Sequence, residues 1–168
     1  WLDFLNKGEY LDYAIFMSLK EDNNYQSFKA WGRYSTYNQK LIDKYVAKNT
    51  KKIEFWQFTQ FIFLRQWFAL KDYANKNGIE IMGDMPLYVA YDSVEVWKHP
   101  ELFDLNDDRS LKSVAGCPPD AFSDDGQLWG NPIYDWKYMK ETNYAWWTER
   151  ISSAFKLYDI LRIDHFRG

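Results

Sequence analysis

A chain of 168 residues, 46% of them hydrophobic, is long enough to fold around its own core, and polar residues within its densest apolar stretch exclude a membrane-spanning helix there. The net charge of −3, with acids and bases interspersed, excludes a basic surface of the kind that binds nucleic acid or an anionic membrane. The single Cys117 excludes an internal disulfide and predicts a reducing compartment, for which we expect the cytoplasm.

Hydrophobic periodicity predicts helices and strands in chain order after ten residues that read as irregular. Gly78 is expected to end the long helix, and Asn143 to cap the last one. The predicted helices are Leu11–Lys20, Asn38–Asn49, a long helix from Thr50 towards Asn77, Ser93–Lys98 and Tyr144–Lys156. The predicted strands are Ile79–Gly83 and Asp159–Ile163.

Each predicted strand follows a helix and ends in a carboxylate, Asp84 in one case and Asp164 in the other. Parallel α/β folds place their chemistry at the carboxyl ends of strands, so both acids are predicted to line one cleft. The residues between the two units, 86–142, are predicted to contain only the short helix at 93–98. Because long loops are usually functional, we expect region 86–142 to form the cleft of a single α/β domain.

The last predicted strand carries the strongest chemical signal. Side chains alternate in a strand, so Arg162 and Asp164 point to the same side. A guanidinium beside a carboxylate favours its ionised form, which a carboxylate nucleophile requires. On spacing alone a surface or interface ion pair at a strand end is favoured over an active site, because structural pairs also perturb pKa values.

Aromatic residues make up 20% of the chain, which includes nine tryptophans. One interpretation is sugar binding, because pyranose rings lie flat against indole and phenol rings. The other is a large aromatic core, which we expect for the rings at helical spacing. These are Phe55, Trp56, Phe58, Phe61, Phe63, Trp67 and Phe68.

Three segments combine prolines and glycines, which define the backbone, with polar and aromatic side chains that a ligand could contact. A fourth segment includes the end of the last predicted strand. They are 83–90 (Gly-Asp-Met-Pro-Leu-Tyr-Val-Ala), 116–123 (Gly-Cys-Pro-Pro-Asp-Ala-Phe-Ser), 126–132 (Gly-Gln-Leu-Trp-Gly-Asn-Pro) and 162–168 (Arg-Ile-Asp-His-Phe-Arg-Gly). Together they closely resemble the 4-α-glucanotransferases, also called amylomaltases or disproportionating enzymes, of the α-amylase superfamily. The resemblance extends over nearly the whole chain.

This resemblance implies part of a (β/α)8 TIM barrel enzyme that cleaves α-1,4-glucans and transfers the released chain to the 4-hydroxyl of another sugar. Such retaining transfer uses a nucleophile and an acid/base about 5 Å apart. Asp164 matches the nucleophile and Arg162 the arginine that orients it, while Asp84 matches a supporting acid at the preceding strand end.

The resemblance also implies the groups that contact α-1,4-glucans and maltooligosaccharides. Asp120, Phe122, Gln127 and Trp129 match the family's loop over the glucan cleft, with Trp129 the best stacking candidate. At Ala121 many relatives carry a tyrosine, and at Cys117 often a valine. For His165, sugar contact and a structural role stay equally open, since strand alternation predicts that it faces away from Asp164. No cofactor is implied, and no His or Cys cluster has metal-ligand spacing.

The family's acid/base glutamate and its stabilising aspartate belong to later strands, so the chain is expected to be a central fragment, 1–168, of one catalytic barrel domain. Alone it is expected to be inactive, and its exposed strand edges predict possible self-association. Two alternatives stay open: a non-catalytic glucan-binding module, and an α-glucan hydrolase of the same superfamily.

Overall fold

The structure of the protein is a computed structural model, in which residues 1–165 are described. The chain divides into two units, Trp1–Ala69 with Asp92–Lys98, and Leu70–Tyr91 with the residues from His99 onward. The α-helices are α1 (Leu2–Asn6), α2 (Leu11–Asp22), α3 (Gln39–Lys76), α4 (Val94–Lys98), α5 (Trp136–Glu141) and α6 (Ala145–Leu157). The strands are β1 (Met82–Met85), β2 (Val114–Cys117), β3 (Gln127–Pro132) and β4 (Ile160–Ile163). Within residues 1–165, no helix is both long and apolar enough to cross a membrane.

The first unit is built around buried aromatic rings. Trp97 of α4 is fully buried, and its ring centroid lies 5.7 Å from that of Phe16 on α2 and 5.8 Å from that of Trp31. The indole Nε1 of Trp97 donates to the carbonyl of Tyr34 at 2.8 Å, so its polar atom is satisfied inside the core. The predicted short helix at 93–98 is confirmed as α4. The predicted irregular start is wrong over Leu2–Asn6, which forms α1.

Helix α3 joins the two helices that the sequence predicts around Asn49 and Thr50. Asn49 has non-helical torsion angles (φ −124°, ψ 24°), which place a kink at the predicted boundary. Its side chain donates to the carbonyl of Tyr45 at 2.9 Å. The predicted helix end is confirmed, because Gly78 has φ +75° and the amide of Ile79 donates back to the carbonyl of Ala74 at 3.0 Å.

The aromatic side of α3 corrects one expectation. Phe55 and Phe63 are 57% and 52% exposed, and Phe58 and Phe68 are also exposed, so the predicted core packing is wrong for these four rings. Periodicity identifies an apolar face but not the element that covers it. In the described chain, the part of α3 after the kink buries only Ile53 and Gln57.

In the second unit, β1 and β4 pair in parallel with Asp84 opposite Arg162. The two predicted strands are therefore confirmed, although β1 begins at Met82 instead of Ile79. Ile79–Ile81 lie outside the ladder: the Ile79 amide donates to the carbonyl of Ala74, and the Ile81 amide donates to a side chain, the Oδ2 of Asp159, at 2.9 Å. The sequence pattern extends over these residues because it reports apolar character and not hydrogen-bond partners.

Asp159 holds the start of β4 to the end of α3. Its carboxylate accepts from Asn75 Nδ2 at 2.8 Å and lies 3.0 Å from Lys71 Nζ. The backbone amide of Ile81, followed by the side chains of Asn75 and Lys71, lowers the pKa of Asp159 to about 2. This carboxylate therefore connects three segments of the second unit.

Region 86–142 contains more regular structure than the sequence predicts. Strands β2 and β3 form an antiparallel hairpin with Cys117 opposite Gln127, and α5 follows. The prediction of a single short helix is therefore wrong. Gly116 and Gly130 interrupt the hydrophobic alternation of these short strands, which hides their period. Helix α5 has Asp135 as its N-cap, whose side chain accepts from the amide of Tyr138.

Helix α6 confirms the predicted last helix but not its cap. Tyr144 is the N-cap residue, with left-handed torsion angles and no side-chain cap hydrogen bond, so Asn143 does not cap the helix. The helix places Trp146 and Trp147 against Tyr134, whose ring is only 2% exposed. Tyr134 therefore lies at the centre of the second unit's aromatic core.

Candidate active site

Arg162 joins the carboxylates of Asp84 and Asp164. Its Nη1 donates to Asp84 Oδ2 at 2.9 Å, and its Nη2 donates to Asp164 Oδ2 at 2.5 Å. The predicted placement of Arg162 and Asp164 on the same side is confirmed by this contact. Because β1 and β4 are parallel and in register at Asp84 and Arg162, the two acids meet at the same edge of the sheet.

These three side chains remain accessible from outside. The side chains of Asp84, Arg162 and Asp164 are 56%, 54% and 50% exposed, respectively. A carboxylate that is held in one orientation but open on one side can approach an incoming electrophilic carbon. The second oxygen of Asp164, Oδ1, accepts from the backbone amide of His165 at 2.9 Å.

The side chain of His165 lies beside Asp164, so the prediction that it faces away is wrong. Its Nε2 is 3.8 Å from Asp164 Oδ2. Strand β4 ends at Ile163, and His165 has a left-handed φ of 52°, so the alternation that would turn its side chain away does not apply. Residues 166–168, which complete the terminal motif, lie outside the described residues.

The hairpin brings Trp129 of β3 against His165. Its ring centroid lies 4.6 Å from that of His165, and its Nε1 donates to Gln127 Oε1 at 3.0 Å. The fold therefore brings together three of the residues predicted to contact glucan: Trp129, Gln127 and His165. It places them on the Asp164 side of the second unit.

The other two predicted glucan contacts lie in the turn between β2 and β3. Asp120 Oδ1 accepts from the amides of Phe122 and Ser123, at 2.8 and 3.0 Å, so this side chain shapes the turn. Phe122 is 93% exposed and is not held against Asp164 by the described residues. Gly126, with φ +72°, closes the turn where a Cβ would lie 2.5 Å from the carbonyl of Cys117.

Sequence reasoning missed three residues that support the site. The Tyr88 ring stacks on Tyr134 at 5.7 Å and lies 6.2 Å from the ring of Trp129. Arg150 of α6 donates to the Tyr134 hydroxyl at 2.9 Å. The sequence does indicate a role for Tyr88, because this aromatic residue with a polar tip follows a strand end within segment 83–90. No sequence pattern indicates a role for Tyr134 or Arg150, because their partners are distant in sequence.

A metal site does not emerge from the described part of the chain. Among residues 1–165, no group of three or more His, Cys, Asp or Glu side chains is arranged to hold a metal ion. The acids of the candidate site are instead paired with Arg162.

Comparison with known proteins gives these residues a family. The sequence model of the 4-alpha-glucanotransferases matches residues 2–168. A 4-alpha-glucanotransferase of Clostridium butyricum is 50% identical over 171 residues, covering 100% of this chain and 33% of the relative. One of Aquifex aeolicus is 43% identical over 169 residues, covering 99% of this chain and 35% of the relative.

A solved structure agrees with these sequence relatives. The amylomaltase of Streptococcus agalactiae in complex with acarbose superposes with a TM-score of 0.90 at 48% identity, over 99% of this chain and 34% of that one. The chain thus spans about a third of the length of the relatives that it matches. The identities and the match over residues 2–168 show that the chain belongs to the 4-alpha-glucanotransferase family.

Proposed function

We propose that this chain supplies the nucleophile and part of the glucan cleft of a 4-α-glucanotransferase. The observation that carries the proposal is Arg162, which binds Asp84 and Asp164 at the carboxyl ends of two paired parallel strands. In this role Asp164 is the nucleophile, Arg162 orients it and Asp84 fixes Arg162. The family's names, 4-alpha-glucanotransferase and amylomaltase, support glucan as the substrate.

The chemistry follows from a carboxylate placed beside a glycosidic bond. Asp164 attacks the anomeric carbon, the bond from that carbon to the glycosidic oxygen breaks, and the leaving glucan takes a proton from a general acid. The 4-hydroxyl of an acceptor sugar then attacks the same carbon, gives its proton to the same acid/base residue, and releases Asp164. We place that acid/base outside these 168 residues, so the activity belongs to the complete enzyme.

The donors on Asp164 support the nucleophile's role in this cycle. Arg162 Nη2 contacts one carboxylate oxygen and the His165 amide contacts the other, so the group is held in one orientation for attack. Because folding already fixes the orientation of the nucleophile, the reaction step does not carry that entropy cost. The covalent intermediate removes the charge from the carboxylate, and Asp84 then remains as the partner of Arg162.

We further propose that the chain is one part of a (β/α)8 barrel, with region 86–142 lining its cleft. The parallel β1 and β4, each preceded by a helix, support this architecture. Within that cleft Trp129 stacks on a glucosyl ring, while Gln127, Asp120, Phe122 and His165 supply further contacts. We propose the cytoplasm as the compartment, because a chain with a single cysteine, Cys117, suits a reducing environment.

The exposed apolar side chains of α3 support association of the isolated chain, either with itself or with the rest of its own polypeptide. Phe55 and Phe63 are 57% and 52% exposed, and Phe58 and Phe68 are also exposed. Several large apolar side chains exposed along one helix favour contact with another surface. Sedimentation of the isolated chain across a dilution series should show reversible self-association, and a monomer at every concentration would contradict it.

The function is tested on the complete enzyme with maltotriose as the only substrate. Transfer should give glucose and a ladder of longer maltooligosaccharides with no net gain in reducing ends, because each bond broken is replaced by one formed. Asp164→Asn should abolish the ladder, and Asp72→Asn, an exposed acid on α3, should leave it unchanged. A fully active Asp164→Asn enzyme would refute the assignment of the nucleophile.

The same assay separates the two alternatives. A steady increase in reducing ends would identify an α-glucan hydrolase, in which water takes the place of the acceptor sugar. Binding of maltooligosaccharides by the complete protein with no turnover would identify a glucan-binding module. Either outcome would replace the proposal.

A further inference from the structure

Trp129 lies against His165, the residue after Asp164, although its strand does not pair with β4. Strand β3 pairs with β2, whereas β4 pairs with β1. No hydrogen-bonded ladder in residues 1–165 therefore fixes the distance from Trp129 to the β4 end. Side-chain contacts must set it, and a stacking residue needs its position defined to within a fraction of its ring width.

A connection made by side chains runs from the end of β1 to Trp129. The Tyr88 ring is stacked on Tyr134, with centroids 5.7 Å apart and planes at 14°. The Trp129 ring also lies against Tyr88, at 6.2 Å and 48°. Tyr88 follows the β1 end by three residues, so its ring connects the strand that holds Asp84 to the hairpin that holds Trp129.

Hydrogen bonds from two side chains hold the backbone that precedes Tyr88. The Tyr134 hydroxyl donates to the carbonyl of Leu87 at 2.9 Å and accepts from Arg150 Nη1 at 2.9 Å. Arg150 Nη2 also donates to the carbonyl of Pro86. The two carbonyls that precede Tyr88 are therefore each held by a hydrogen bond, one of them from Tyr134, which is only 2% exposed.

We propose that Tyr88 is a positioning residue that sets the place of Trp129, and through it of His165, beside Asp164. The proposal rests on the proposed function, in which Trp129 contacts glucan. The Tyr88 ring packs on the Trp129 indole, and the same indole lies 4.6 Å from the His165 ring, so the position of Trp129 depends on the ring of Tyr88.

The first test measures transfer kinetics in the complete enzyme with maltotriose. Tyr88→Ala should lower kcat/KM about tenfold, mainly by raising KM, because a displaced stacking ring weakens binding of the ground state and the transition state alike. Tyr88→Phe keeps the ring and should remain close to the unsubstituted enzyme. Tyr73→Ala removes an exposed tyrosine ring of α3 and serves as the control.

The double variant decides between positioning and general destabilisation. If Tyr88 acts through Trp129, Tyr88→Ala should add little to the loss that Trp129→Ala causes alone. A merely destabilised protein would show a lower kcat at unchanged KM, with losses that multiply, and that result would overturn the proposal. Tyr88→Leu, which keeps apolar volume without the aromatic ring, provides the same comparison should Tyr88→Ala not fold.

A second measurement needs neither glucan nor activity. In the complete enzyme labelled with 5-fluorotryptophan, the 19F resonance of Trp129 is assigned by Trp129→Phe. It should move in Tyr88→Ala and in Tyr88→Leu but not in Tyr73→Ala. An unmoved resonance would refute positioning by Tyr88, whereas absence of transfer by the unsubstituted enzyme would refute the proposed function and leave this test intact.

Discussion

Asp84 and Arg162 face each other across the parallel pair of β1 and β4, and Nη1 of Arg162 lies 2.9 Å from Oδ2 of Asp84. The second nitrogen of the same guanidinium contacts Asp164 at 2.5 Å. A planar fork can satisfy two carboxylates at once, which an ammonium cannot do in the same geometry. The orientation of Asp164 therefore depends on a residue of the neighbouring strand.

Replacing the Arg162 guanidinium tests whether the orientation of Asp164 depends on it. In the complete enzyme, Arg162→Lys should lower kcat for maltotriose about 100-fold, because a single ammonium nitrogen cannot occupy both guanidinium nitrogen positions and Asp164 loses its orientation. The melting temperature should stay nearly unchanged, since exposed ion pairs contribute about 0–1 kcal/mol to stability. Arg65→Lys on α3 is the matched control. Retention of full activity by Arg162→Lys would remove the orienting role.

Asp120 has a turn role that can be separated from glucan contact. Asp120→Asn keeps the Oδ1 acceptor for the amides of Phe122 and Ser123 but loses the charge. We expect kcat/KM for maltooligosaccharides to fall about tenfold, as for loss of one hydrogen bond to a charged group. Asp120→Ala should fall further, because the turn is also lost. Unchanged kinetics in Asp120→Asn would leave this side chain with the turn role alone.

Asp159 predicts the acid response of the second unit. Its folded pKa, about 2, lies below the unfolded value. Its contribution is therefore complete above the unfolded pKa, which is about 3.9, and is lost as the pH falls towards 2. Asp159→Asn should lower the free energy of unfolding at neutral pH, and the difference from the unsubstituted chain should shrink in acid. Urea titrations of the isolated chain between neutral pH and pH 3 measure this difference.

A control for Asp159 lies on the same helix that supplies its partners. Asp72 pairs with Lys76 at 2.5 Å in an exposed i, i+4 arrangement on α3. Asp72→Asn should therefore change stability only slightly at any of these pH values. An Asp159→Asn chain that behaves like Asp72→Asn would show that the Asp159 contacts do not connect α3 to β4 energetically.

Gly83 cannot carry a side chain without moving Tyr158. A Cβ at this position would lie 2.1 Å from Cδ2 of the Tyr158 ring. Gly83→Ala should therefore reduce the free energy of unfolding by about 1–3 kcal/mol, as overpacking does. The cost should be smaller in a Tyr158→Ala background, where the ring is absent. Equal costs in both backgrounds, measured by urea unfolding of the isolated chain, would contradict a direct clash.

The parts of the fold that sequence reasoning predicted are those with local causes. The helix end at Gly78 follows from a residue that adopts positive φ, and the break at Asn49 lies where the apolar pattern and polar residues change. The common direction of Arg162 and Asp164 follows from strand alternation. Each cause acts within a few residues, so a single sequence suffices to detect it.

The hairpin of β2 and β3 was missed because its cause is not periodic. Its register is set by the turn around Gly126 and by the close approach of Gly116 to the carbonyl of Gln127, where a Cβ would lie 2.2 Å away. Such approaches are requirements of the backbone and leave no hydrophobic pattern. The exposure of Phe63 likewise depends on which elements cover α3, which periodicity does not encode.

By itself, the sequence determined the residue types and their local directions: an arginine and an aspartate on one side of a strand end, a second acid after another helix, and aromatic residues in loops. Only the tertiary structure decided that Asp84 shares Arg162 with Asp164, that His165 turns back towards Asp164, and that Tyr88 lies between Tyr134 and Trp129. The physical reason is that strand pairing and ring stacking join residues that are tens of positions apart, whereas a sequence pattern describes neighbours along the chain.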